Sequence, residues 1–140
     1  MTKLLLQCDG GSRGNPGPAA YGYVVYDTTS GAAIVLEKCG NYLGNTTNNQ
    51  AEYEGLLAGL TWIYDHHPDA TVEIKMDSLL IVNQIKSLYK VKSPDLFPKY
   101  QAVRAIIAKL PSVTIAHTYR EGNSLADSLV NQALDAHQAQ

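Results

Sequence analysis

The sequence predicts a mixed α/β fold, and three observations predict it. Three strand patterns follow one another at the N-terminus with only turn residues between them. After Asn48 the apolar period lengthens from that of a strand to that of a helix. From there helical patterns alternate with two further strand patterns, at 72–76 and 113–117. A meander followed by helix-strand-helix makes a mixed sheet, in which strand 72–76 can lie parallel beside the first strand.

The first strand is the apolar run Leu4-Leu5-Leu6-Gln7-Cys8, which ends in Asp9 and gives way to a stretch of glycines and prolines. An acid at the mouth of a core strand costs desolvation energy unless it is paired, hydrogen-bonded or bound to a cation. The following glycines, Gly10 and Gly11 first among them, let something approach the backbone closely. The stretch lacks both Gly-x-Gly-x-x-Gly and Gly-Lys-Ser/Thr, the two common nucleotide fingerprints. A phosphate-cradling loop and a plain hairpin turning at Asn15-Pro16-Gly17 both remain open at this point. Residues 21–26 and 32–36 read as the second and third strands, joined by the turn 27–31.

An amphipathic helix then runs from 48 to about 66, capped by Thr46 or Thr47 and stopped by Pro68. Gly55 and Gly59 cost helix propensity, which points to a helix lying close on the sheet. Glu52 is placed in its first turn. A cap with a first-turn acid accounts for Thr47 and Glu52, but not for Asn48, Asn49 and Gln50 beside them. Strand 72–76 again ends in an acid, Asp77, followed by a helical pattern over 80–88. Asp77 is either a helix cap or a second acid at the carboxyl end of a neighbouring strand, where ligands bind in such sheets. A loop at 89–95, a helix at 96–109, strand 113–117 and a final helix at 123–134 complete the chain. Asp127 lies near the start of that helix, and the residues after Asp135 are expected to fray.

At 140 residues the chain is read as one domain, 1–140, large enough for a real core. No apolar stretch approaches a membrane span and no signal-peptide pattern opens the chain, so the expected location is cytoplasmic. Cys8 and Cys39 lack metal-site spacing and are expected as buried free thiols. The net charge of −2 argues against strong sequence-blind binding to nucleic acid. Yet residues 86–109 hold six of the eleven basic residues against one acid, a local +5, while the rest of the chain carries −7 (five basic, twelve acidic). That segment is either a hold for one polyanion or a solvated helix face.

Four acids now occupy matched positions, two at strand ends and two near helix starts. Together with Asp-Gly-Gly-Ser-Arg-Gly-Asn-Pro-Gly-Pro at 9–18, Thr-Thr-Asn-Asn-Gln-Ala-Glu at 46–52, Asp-Ser at 77–78 and Arg-Glu-Gly-Asn-Ser-Leu-Ala-Asp at 120–127, they resemble the ribonuclease H family, type 1, over residues 8–134. The short 89–95 segment has no basic handle and is similar to the compact, archaeal-type members. The resemblance implies a five-stranded mixed sheet, an antiparallel three-stranded meander plus two parallel strands, flanked by helices. It implies an endonuclease that cuts the RNA strand of RNA–DNA hybrids and leaves 5′-phosphate and 3′-hydroxyl ends, with no obligate protein partner.

By the same resemblance Asp9, Glu52, Asp77 and Asp127 are the catalytic carboxylates and the metal ligands. Four crowded anions make sense only with cations between them, and oxygen-only ligands suit two Mg²⁺ ions, or Mn²⁺. Asn15, Asn48, Asn49 and Gln50 are expected along the minor groove, and the backbone of Gly10, Gly11 and Ser12 against the RNA sugars, whose 2′-hydroxyls distinguish RNA from DNA. Thr47 is expected to hold a DNA-strand phosphate; its usual asparagine partner is Ser93 here. The loop histidine of many members is missing from 119–122. Three neighbouring readings fare worse. A 3′–5′ exonuclease of similar sheet carries Asp-x-Glu on its first strand, where this chain has Asp9-Gly10-Gly11. A non-catalytic hybrid-binding module would lack at least one acid, and a metal-dependent phosphatase has only the metal site in its favour.

Overall fold

Alternation of apolar residues along the first strand decides the layering. Leu4, Leu6 and Cys8 are fully buried on one face, and with Val72, Ile74 and Met76 they meet Tyr53, Leu56, Leu60 and Ile63 of the first helix in the main core. Each such aliphatic side chain contributes roughly 1.5–3 kcal/mol by leaving water. The computed structural model describes residues 1–138. β1 (Lys3–Ser12), β2 (Gly17–Asp27) and β3 (Ile34–Thr46) form the antiparallel meander. β4 (Thr71–Met76) and β5 (Ser112–His117) join in parallel on the other side of β1, giving the order β3-β2-β1-β4-β5. The helices are α1 (Asn48–His66), α2 (Leu79–Ile85), α3 (Phe97–Lys109) and α4 (Ser124–Gln138). α1 packs on β1 and β2 with α3 beside it, and α4 covers β2 and β3 from the opposite face. A smaller cluster of Ala20, Val130 and Leu134 seals that second contact. None of the described helices is long and apolar enough to cross a membrane.

Several elements depart from the sequence expectation. β1 does not stop at Cys8: Asp9, Gly10 and Gly11 pair with Gly22, Tyr21 and Ala20, so Asp9 lies inside a strand. The parallel pairing to β4, by contrast, ends at Gln7 and Lys75. Asp9 therefore projects where β1 has lost its β4 neighbour, which is what opens a crevice there. β3 runs ten residues past the predicted end at 36, because a strand at the sheet edge need not alternate apolar with polar; two register shifts and a positive φ at Gly44 break its pattern further. Glu52 is the fifth residue of α1 and lies beyond its first turn, which Thr47 caps by accepting a bond from the Gln50 amide at 3.2 Å. α2 ends at Ile85, short of the predicted 88, and Ser87 follows at φ +65°.

The end of α4 corrects the expectation of fraying after Asp135 for residues 136–138; residues 139 and 140 lie outside the described residues. The helix continues to Gln138, held by Arg13 at Asp135 and Gln138 and by His137 stacked on Tyr42 at 3.8 Å between ring centroids. Cys8 and Cys39 both pair with Tyr23, from opposite sides. Two strand spacings, about 9–10 Å, separate them, beyond the ~7 Å reach of a disulfide. Both are free; Cys8 is buried and Cys39 only partly so.

Candidate active site

Four carboxylates converge because helices can lie against glycines at two places on the sheet. A Cβ on Gly10 would stand 2.3 Å from the backbone of both Ala51 and Glu52, so α1 touches β1 main chain there and brings Glu52 alongside Asp9. On the opposite face Gly22, the β2 partner of Asp9, lies under α4, where a Cβ would meet the Ala126 carbonyl at 2.6 Å. Gly40, next across the sheet, meets the Leu129 carbonyl in the same way. That seating delivers Asp127, in the first turn of α4. Asp77 follows directly on β4, and the Ser78 hydroxyl accepts from the Ile81 amide to start α2. Carboxylate oxygens of Asp9, Glu52 and Asp77 all lie within 4.8 Å of one another. Asp127 lies outside that trio; one oxygen stands 3.8 Å from Nη2 of Arg120.

Two side chains that the sequence reading assigned no role fix the strand and turn around these acids. Asn123, fully buried at the end of the 3₁₀ turn Arg120–Asn123, donates from Nδ2 to the Cys8 carbonyl at 2.9 Å. Gln7 donates to the Gly122 carbonyl at the same distance. Both residues could have been suspected only from their nearness in sequence to an acid.

The crowding raises the acids' affinity for protons. Burial first, then the Asp77 charge, pushes the Asp9 carboxyl up to about 8, although the Gly10 amide pulls the other way. Burial, and less strongly Asp77, lifts Glu52 to about 7 against a lowering bond from Ser78. Such groups are ionised together only when cations stand between them. The donors are all carboxylate oxygens, hard ligands that fit Mg²⁺ or Mn²⁺ and offer nothing to a soft metal.

The four acids line one open cleft of about 440 Å³ with Gly10, Gly11, Ser12, Asn48 and Asn49; Arg13 and Arg120 are its cations. The polar run 46–50 has partners of its own. Asn48 Oδ1 accepts from the Ser12 amide at 2.8 Å and from its hydroxyl at 3.1 Å, while the Asn48 amide donates to Asn15 Oδ1 at 3.1 Å. Thr46 donates to Gln50 Oε1 at 2.6 Å. The Asn48 bonds tie the β1–β2 hairpin to the start of α1, and the Thr46 bond gives Gln50 a partner within the run. Asn49 also lines a second hollow of about 240 Å³, with Asn15, Thr47, Gln50, Ser93 and Asp95. The predicted basic segment divides in two. Lys99 is bonded to Glu54 at 2.6 Å, Arg104 to the Ile85 carbonyl at 2.8 Å, and Lys109 sits over the Tyr64 ring. Lys86, Lys90 and Lys92 lie before α3.

Residues 7–133, most of the chain, match a family model described as reverse transcriptase-like, and solved ribonucleases H1 superpose on the whole fold. The chain belongs to the ribonuclease H-like family. Among solved ribonucleases H1, that of Halobacterium salinarum shares 36% identity at a TM-score of 0.89, covering 96% of this chain and 98% of its own. LC11-RNase H1, isolated from compost and solved in complex with an RNA/DNA hybrid, shares 40% identity at a TM-score of 0.90 and covers 97% and 99%. A bifunctional protein of Mycobacterium tuberculosis is 41% identical over 136 residues, covering 96% of this chain. The ribonuclease H-like chain spans only 36% of that mycobacterial relative's length.

Proposed function

We propose that this ribonuclease H-like chain is an endoribonuclease that hydrolyses the RNA strand of RNA–DNA hybrids and leaves 5′-phosphate and 3′-hydroxyl ends. The observation that carries the reading is the meeting of Asp9, Glu52 and Asp77 within 4.8 Å in an open cleft. Two divalent cations, Mg²⁺ or Mn²⁺, would supply the nucleophile activation and charge stabilisation that in-line displacement at phosphorus needs.

The chain's own residues do the rest. Asp9, Glu52 and Asp77 would hold the ions from three different parts of the chain, and Asp127 would complete the set from α4. Asp9 and Glu52, whose carboxyls hold protons more tightly than usual, would give them up on binding the cations. Gly10, Gly11 and Ser12, with Asn15, Asn48, Asn49 and Gln50, present a hydrogen-bonding wall to the minor groove. Thr47 and Ser93, which share one hollow, receive a phosphate of the DNA strand. The reading places the chain in the cytoplasm. It invokes no obligate protein partner.

A cleavage assay tests it with end-labelled hybrid, RNA duplex and DNA duplex of one sequence, each with Mg²⁺, with Mn²⁺ and in excess EDTA. Internal cuts in the RNA of the hybrid alone, ended by EDTA and ligatable at their 5′ ends, are expected. Cleavage of the DNA strand, or cleavage undiminished by EDTA, overturns it.

A further inference from the structure

We infer that Arg13 grips a backbone phosphate of the RNA strand beside the cleavage site, and that Asp135 and Gln138 at the end of α4 aim its guanidinium. The inference rests on the proposed hybrid substrate. Arg13 follows Ser12 where β1 leaves the sheet, and it lines the same cleft as the four acids. The cleft wall carries two cations beside its four carboxylates, and both have acidic partners: Arg13 has Asp135 at 2.7 Å and Arg120 has Asp127 at 3.8 Å. Arg120 faces one of the four acids of the proposed metal site, whereas the partners of Arg13 lie at the end of α4 and do not line the cleft, so Arg13 is the cation placed to take a phosphate without drawing on that site.

The geometry suits a bidentate hold. Nη1 donates to Gln138 Oε1 at 2.6 Å and Nη2 to Asp135 Oδ1 at 2.7 Å. These bonds use two of five N–H donors and fix the plane of the fork; the side chain remains 34% exposed. An exposed ion pair of this kind adds little to stability by itself. Its stronger consequence is to fix where a long, mobile cation points. Four residues along an extended chain place Arg13 roughly 13 Å from Asp9. The phosphate it reaches is therefore a few nucleotides from the cut and not the scissile one.

Binding measured without turnover tests this, in an Asp77→Asn background with Mg²⁺, by anisotropy of a labelled hybrid over a range of salt. Adding Arg13→Ala should weaken binding about five- to twentyfold and lower the slope of log Kd against log salt by about 0.7–0.9, one phosphate's worth. Asp135→Ala keeps the cation and breaks the pair, so a smaller loss with the parent's slope is expected. A neutral methylphosphonate moved along the RNA strand should find one linkage that costs the parent as much as Arg13→Ala does, and costs the Arg13→Ala chain nothing further. An unchanged slope in Arg13→Ala, a slope that falls equally in Asp135→Ala, or a matching linkage only in the DNA strand each overturns the assignment while leaving the hybrid as substrate. An Asp77→Asn parent that does not bind the hybrid, together with an unsubstituted chain that does not cleave it, overturns the proposed substrate, and the assignment with it.

Discussion

A carboxylate trio held this closely favours whatever removes charge from it. Asp9→Asn and Asp77→Asn are each expected to abolish cleavage, by about a thousandfold or more, while metal-free protein melts at the same temperature or higher, because relief of like-charge repulsion offsets the lost contacts. Thermal melts in EDTA beside cleavage rates check this; a variant that loses several degrees along with its activity argues for a structural role instead. The proton affinities of Asp9 and Glu52 give a second expectation. In the folded, metal-free chain they keep their protons up to about pH 8 and 7, whereas unfolded they release them near 3.8 and 4.5. The folded state then binds more protons across that window. The stability so conferred is complete below about pH 4 and is lost as pH rises through 7 and 8, on the order of several kcal/mol. Melting temperature in EDTA should fall between about pH 5 and 8.5, and saturating Mg²⁺ should remove most of the fall. A level or rising melting temperature over that range would refute the assignment of these two groups.

At the scale of elements, close approach is the recurring device, and not every close glycine weighs the same. A Cβ at Gly55 would meet the Asp9 carbonyl at 2.8 Å and Tyr21 Cβ at 3.2 Å, both fixed by the sheet. At Gly59 the nearest atom is the tip of Leu6, 2.5 Å away and able to turn aside. Gly55→Ala is expected to cost about 1–3 kcal/mol and most of the activity, since α1 must lift from the strand that holds Asp9. Gly59→Ala should cost less, because the Leu6 tip can turn aside, while both substitutions gain the same helix propensity of about 1 kcal/mol. Equal melting temperatures for the two variants would contradict this. Much of this architecture was legible in the sequence. Asp77 and Asp127 each mark a change of element, and the run from Thr46 to Glu52 announces a helix start with more polarity than a cap uses. The extension of β1 through Gly10 and Gly11 was hidden, because glycines after an apolar run read as a loop until their partners on β2 are known. Gly22 and Gly40 were illegible for a different reason. Nothing local to a strand says that a helix a hundred residues later will rest on it.

Over the whole molecule, charge is sorted by use. Three of the six basic residues between 86 and 109 are bound to Glu54, to a carbonyl and to a ring, so the predicted positive face shrinks to Lys86, Lys90 and Lys92. If that remnant meets the DNA strand, Lys90→Glu with Lys92→Glu raises KM and flattens its dependence on salt while kcat changes little, because phosphate contacts add mostly uniform binding. Steady-state kinetics at two ionic strengths decide it, and an unchanged KM at low salt reduces the segment to an ordinary solvated surface. The glycines under α4 bear on how such a molecule can vary through its history. Gly22 and Gly40 have no functional group and do not line the cleft, yet the seating of Asp127 depends on the room they leave. In a survey of every single substitution scored by activity they should be as intolerant as Asp9 itself, and exchanging the neighbouring Leu129 side chain should not rescue them, since the nearest atom an added methyl meets at either position is a main-chain carbonyl oxygen of α4. Descent with modification can therefore rewrite most of this sheet's edge while leaving two featureless positions as fixed as the acids they serve.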